Sequence, residues 1–198
     1  MAVDLSQRPS FPARAVVTAG MPYGNKSLHF GHVGGVFVPA DFMARFLRDR
    51  IGRENVVFVS GTDCYGSPIM EGHRKLAEKG YEGTIADYVR ANHESQAAAL
   101  EAYEVSLDLY AGSGLEPAAP FHARMSAEVI RTLHERGVLH KMSTRQFYDA
   151  EAGQFLNGRQ VVGRCPVRGC KSEKAYADEC DLGHQFDPEE LILSLIHI

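Results

Sequence analysis

Two histidines, His29 and His32, stand three residues apart around Gly31, directly after a turn-rich segment that carries Gly20, Pro22, Gly24 and Asn25. If a helix begins there, both imidazoles share one face of it. The free N–H groups and positive dipole end of a helix start favour phosphate oxygens. Gly31 would let such a ligand approach the backbone closely. A second reactive point is Asp63, a carboxylate that follows the apolar run Val56–Ser60. A third is a cluster near the C-terminus: Cys165 and Cys170 lie five positions apart, and Cys180 and His184 four apart. Two close pairs of this kind, separated by about ten residues, can enclose a tetrahedral zinc. Thiolate and imidazole suit that ion, whose filled d shell imposes no geometry. The plainer alternatives are two histidines satisfied in the core or at the surface, an Asp63 that caps the helix opened by Ser67–Pro68, and three free thiols beside a surface histidine.

These residues need elements to position them. Ala15, Val16 and Val17 read as a buried strand leading into the glycine-containing loop. Val33, Phe37, Ala40, Ala44, Leu47 and Ile51 then recur at helical spacing, which predicts a helix over about 32–51 that stops at Gly52. Pro39 interrupts it just after Gly34–Gly35, so a kink or bulge is expected there. Residues 55–60 read as a strand buried on both faces of a parallel sheet, whose C-terminal end delivers Asp63. In open α/β sheets ligands bind beyond those strand ends, so His29, His32 and Asp63 should fall on one edge. Further helices are expected from Pro68 to about Lys79, from Thr84 to Tyr103 with Thr84 as cap, and from Phe121 to Arg136. Residues 105–110 and 143–148 look β-like. Residues 111–120 are a Gly/Pro-rich break near a domain boundary, and 1–13 a loose polar arm. The stretch from Gly158 to Phe186 has little periodicity and needs a staple to hold a fold.

The segment from Ala15 to His32 resembles the His-x-Gly-His signature of class I aminoacyl-tRNA synthetases, most closely the methionyl-tRNA synthetase family. Met21-Pro22-Tyr23-x-Asn25 and Gly61-Thr62-Asp63-Cys64-Tyr65-Gly66-Ser67-Pro68-Ile69 belong to the same pattern. The resemblance runs from about Arg14 to Glu190. It implies an α/β fold: a Rossmann-like parallel sheet with helices, the first half of a class I synthetase catalytic domain, over residues 1–114, and a connective insertion with a small zinc knuckle over 115–198. It implies ATP-dependent activation of L-methionine to methionyl-adenylate, then transfer to tRNA(Met), with ATP and Mg2+ as substrate. In that reading His29 and His32 stabilise the phosphoryl transition state. Tyr23, His29, Gly31 and His32 contact ATP, and Met21, Tyr23 and Asp63 hold methionine. Cys165, Cys170, Cys180 and His184 hold a structural Zn2+. The family has two acidic residues where this chain has Thr62 and Asp63, so Asp63 alone is expected to bind the ammonium. The knuckle also departs from the usual two Cys-x-x-Cys pairs.

Composition agrees with a globular protein: 44% hydrophobic, 23% charged, net charge −4. That balance does not suggest a general nucleic-acid binder, so a tRNA would use a local basic patch. No signal peptide or membrane-length apolar run is read, and a cytoplasmic protein is expected, in which cysteines favour metals over disulfides. A Lys-Met-Ser-Lys-Ser signature is absent. Lys141-Met142-Ser143 is a partial echo only. The chain alone is therefore expected to be inactive, as the N-terminal piece of a truncated reading frame. Its last six residues, 193–198, leave the family pattern and are read as a non-native tail. Two other readings remain open: a zinc-stabilised, non-catalytic RNA- or protein-binding module, and a class I synthetase of the leucine type.

Overall fold

The computed structural model describes residues 10–151, 153–156 and 158–196. Most of the expected arm over 1–13 and the end of the expected tail therefore lie outside the described residues. The chain divides into two compact units, residues 1–129 and 130–198.

The first unit is built on three parallel strands in the order β1 (Ala15–Thr18), β2 (Val56–Thr62), β3 (Leu109–Gly112). Val16 pairs with Val57, and Val59 with Leu109. Between β1 and β2 runs one continuous helical stretch: α1 (Phe30–His32), a π-helical turn at Val33–Phe37, and α2 (Val38–Ile51). The π turn is the bulge expected at Pro39. Val38 donates to the Val33 carbonyl five residues back, and Pro39 then enters the first turn of α2, where a missing N–H costs least. β2 connects to β3 through α3 (Ser67–Ala77) and α4 (Ile85–Ala102). Thr84 caps α4 as expected, in a reciprocal box with Asp87.

Both crossovers advance in the same direction along the sheet. Their right-handedness therefore puts α2 and α4 on one face. Phe37, Ala44, Phe58 and Leu100 form the core there, with Phe58 fully buried. On the opposite face Val16, Val57 and Leu109 are exposed. The β-like stretch expected at 105–110 starts later, at Leu109, because Val105 and Leu107 pack against this core. Ser106 is held between Asp41 and Arg48. The Arg48 guanidinium continues to Asp108 at 2.7 Å, and Asp108 also accepts from the Phe58 N–H at 2.7 Å. This chain of contacts ties α2 to the start of β3. Phe11, in the described end of the arm, lies against Phe46 with ring centroids 5.9 Å apart.

Helix α5 (Ala119–Glu135) crosses from one unit into the other. Among the described residues the second unit holds two small antiparallel pairs, β4 (Tyr148–Asp149) with β5 (Gln154–Phe155) and β6 (Val161–Arg164) with β7 (Ile192–Ile196), and single bridges such as Ala175 with Cys180. The strand expected over 143–148 is reduced to its last residue. Its partner offers only two positions, and Lys141–Gln146 are exposed and pair with no strand among the described residues. A small core of Leu156, Val161, Ala175, Ala177, Cys180 and Leu191 holds this unit, with Cys165 and Cys170 packed against it.

Candidate active site and metal centre

The loop after β1 is an extension of the sheet. The Gly24 N–H donates to the Asp63 carbonyl and the Asp63 N–H to the Pro22 carbonyl, both at 2.8 Å, so Tyr23 and Asp63 form a parallel bridge beyond the tip of β2. A Cβ at Gly24 would press on Thr62 and Val89 at 3.0 Å, so glycine lets the loop lie close against α4. Met21 lies over Gly61, its Cε 3.2 Å from where a Cβ would stand. The Tyr23 ring reaches toward Gly66. Met21 and Tyr23 are 46% and 45% exposed, which is not the burial of core side chains. Met21, Tyr23 and Asp63 are thus brought together at the strand tips.

Asp63 does not cap α3. Its Oδ1 accepts from the Tyr65 N–H at 3.1 Å, closing a turn, while the residue preceding α3 is Gly66. The Asp63 carboxylate is therefore held by its own loop and is only partly buried.

At the other end of the loop His29 and His32 cap the helix start reciprocally. The Gly31 N–H donates to His29 Nδ1 at 3.1 Å, and the His29 N–H donates to His32 Nδ1 at 3.3 Å. The two rings stack with centroids 3.8 Å apart. Because both Nδ1 atoms accept, the neutral rings carry their proton on Nε2 and present two N–H donors away from the backbone. Burial, and next the charges of His29 and Lys26, push the His32 pKa below its ordinary value, which favours that neutral form.

In the second unit, one ligand atom from each of Cys165, Cys170, Cys180 and His184 comes within 4.8 Å of all the others. Cys170 Sγ and Cys180 Sγ are 3.9 Å apart, and His184 Nδ1 is 3.4 Å from Cys180 Sγ and 3.7 Å from Cys165 Sγ. A tetrahedral zinc with bonds near 2.3 Å to sulfur places its ligand atoms about 3.8 Å apart, so the donor set and spacing fit that ion. Burial pushes the Cys180 thiol up, but the His184 and Leu182 N–H groups outweigh it and bring the pKa down to about 6. Four protein ligands leave no open coordination position.

The family described as tRNA synthetases class I (M) matches residues 15–198. The chain belongs to this family. The methionine–tRNA ligase of Cytophaga hutchinsonii is 37% identical over 183 residues, covering 91% of this chain and 24% of that relative. The enzyme of the same name from Pyrococcus furiosus is 37% identical over 180 residues, 90% of this chain and 23% of its own length. The chain thus spans about a quarter of these synthetases. A Mycobacterium tuberculosis methionyl-tRNA synthetase bound by methionyl-adenylate matches with a TM-score of 0.58 at 21% identity, over 87% of this chain and 30% of that one. A second structure of that synthetase, in complex with methionyl-adenylate, gives 0.52 at 24% identity, over 78% and 27%. Both show the class I synthetase fold, of which the three parallel strands and their helices are a part. No helix among the described residues is long and apolar enough to cross a membrane.

One polar group beside this candidate site escaped the sequence reading. Thr62 points away from Asp63 because neighbours on a strand face opposite sides. It is fully buried, as is Gln96 of α4. The Thr62 hydroxyl donates to Gln96 Oε1 at 2.8 Å, and the Tyr110 hydroxyl donates to the same oxygen at 2.9 Å. Thr62 Oγ1 also lies 2.8 Å from His93 Nδ1, and the His93 ring stacks on Tyr110. The available signal was Gln96 itself, a polar residue in the stripe Val89, Gln96, Leu100 that α4 turns inward.

Proposed function

We propose that this chain forms the first half of the active site of a methionine–tRNA ligase, which joins L-methionine to ATP as methionyl-adenylate and passes the methionyl group to tRNA(Met). In the first step a carboxylate oxygen of methionine attacks the α-phosphorus of ATP, supplied with Mg2+, and pyrophosphate leaves. The protein's part is alignment and charge stabilisation. His29 and His32 donate through Nε2–H to the phosphoryl oxygens, with Gly31 between them keeping the backbone open to the nucleotide. Tyr23 lies between adenosine and methionine. Met21 and Tyr23 line the methionine side chain, and Asp63 takes the α-ammonium in a charge-assisted hydrogen bond. The observation that carries this reading is the bridge between Tyr23 and Asp63, which joins the two signature motifs at one edge of the sheet.

Residues 115–198 serve as a connective insertion with a zinc knuckle. Cys165, Cys170, Cys180 and His184 would hold a Zn2+ that supplies cross-linking and no chemistry. The reaction belongs to the cytoplasm, where tRNA is charged.

A non-hydrolysable methionyl-adenylate analogue, titrated into the isotope-labelled chain, tests the reading. Resonances of Tyr23, His29, His32 and Asp63 should shift together. Asp63→Ala should weaken binding about ten- to a hundredfold, the range for a lost hydrogen bond to a charged group. A leucyl analogue that binds as well, or shifts confined to other residues, would sink the assignment.

A further inference from the structure

Gln96 stands at the centre of a hydrogen-bond network that assigns the proton positions around Thr62. Its Nε2 donates to the carbonyl of Tyr23 at 2.9 Å and to that of Lys26 at 2.8 Å. Turning the amide over would set its oxygen against two carbonyl oxygens, so the two loop carbonyls fix the amide's orientation. Oε1 must then face Thr62 and Tyr110. An amide oxygen only accepts, so the 2.8 Å contact assigns the Thr62 proton to Oε1 in preference to the Tyr110 hydroxyl at 3.2 Å. Thr62 has one proton. Toward His93 it can only accept, and the His93 proton therefore sits on Nδ1. This is the opposite tautomer from His29 and His32, whose Nδ1 atoms accept from backbone N–H groups.

The network reaches both halves of the site. Tyr23 and Lys26 flank the loop, and Thr62 is the neighbour of Asp63. The loop has other holds: the two backbone bonds to Asp63, the Tyr88 hydroxyl donating to the Asn25 carbonyl, Asn25 Nδ2 donating to the Pro68 carbonyl at 3.3 Å, and Ser27 Oγ 3.2 Å from Ser95 Oγ. Gln96 gives two side-chain bonds to the loop and receives one from the strand tip.

We infer that Gln96 is a positioning residue of this synthetase site: it sets the loop from Tyr23 to Lys26 against the tip of β2, and through Thr62 it holds the His93 proton on Nδ1. Its effect on ligand binding rests on the function proposed above; the placement of the loop does not.

The test uses the whole chain with Gln96→Met, which keeps the volume and removes both donors. In the absence of ligand, the Gly24 and Asp63 amides should exchange with solvent about tenfold faster than in the parent, relative to the Phe58 amide of the same sheet, as the loss of about one net hydrogen bond predicts. Affinity for the methionyl-adenylate analogue should fall about tenfold. Exchange at Gly24 and Asp63 that rises no more than at Phe58, including loss of the whole sheet, makes Gln96 a packing residue and overturns the proposal. In the parent chain, imidazole nitrogen spectra should show His93 protonated on Nδ1, with His29 and His32 protonated on Nε2. His93 protonated on Nε2 would overturn the relay. If the parent fails to bind the analogue, the proposed function falls while the exchange ratio and nitrogen spectra still decide the positioning role.

Discussion

The loop site of the first unit and the cysteine cluster of the second are both small sets of polar side chains, but they are held in opposite ways. The loop is locked by groups that will not touch a ligand: two backbone bonds to Asp63, a buried glutamine, and a glycine packed on Thr62 and Val89. Its reactive groups are left facing outward, and the core under the sheet contains none of them. In the cysteine cluster the three candidate thiol ligands are themselves packed in the core, with Cys180 buried among Val161, Ala175 and Leu191. There the ligand set and the fold are the same residues. A site of the first kind loses function when its supports are cut; one of the second kind loses structure when its ligand goes.

Metal removal sharpens that contrast most. Chelation of a zinc-loaded sample, or Cys170→Ser, should unfold the second unit while leaving the first, since structural zinc sites supply folding free energy outright. Amide protection at Val161 and Ala175 should vanish, while that at Phe58 persists; equal losses at both would break the comparison. Phe58→Ala should do the converse, destabilising the first unit by about 3–5 kcal/mol through a cavity under the sheet, read as a shift in denaturant midpoint with the second unit's signals unmoved. Thr84→Ala removes the cap of α4 and should cost about 1 kcal/mol in the same measurement.

The smallest effect concerns acid. The Arg53 hydrogen bond, against the opposing cost of burial and aided by the Phe58 N–H and Arg48, lowers Asp108 from its ordinary value of 3.8 to about 2. A depressed carboxylate stabilises the fold above its unfolded pKa, and that contribution is lost as pH falls through the folded value. The first unit should therefore lose stability between about pH 4 and pH 2 by an amount that Asp108→Asn removes. Because the Asp108 side chain is 25% exposed and Arg53 62%, salt should flatten this slope.

Much of this was open to reading from local pattern. The helix stop at Gly52, the capping box at Thr84 and the disturbance near Pro39 follow from backbone chemistry that acts within a few residues. The shifted start of β3 and the shortened strand before Tyr148 do not, because a strand exists only where a partner offers bonds. Val105 and Leu107 look β-like, yet they serve the core. Thr62 shows the same limit at the site. By type it reads as a gap in an acidic pair, and only its burial against Gln96 and Tyr110 gives it a part.

By itself the order of residues determined which chemistry was present: a paired-imidazole loop, a strand-end acid and a Cys3His set at metal spacing, because side-chain type and short-range spacing are written directly in it. Tertiary structure alone decided how those groups are held. The Gln96 amide meets the carbonyls of Tyr23 and Lys26 from 73 and 70 residues away. Contacts across that distance depend on how helices lie against a sheet, and proton positions depend in turn on those contacts. That is why the opposite tautomers of His93 and the His29–His32 pair become legible only in three dimensions.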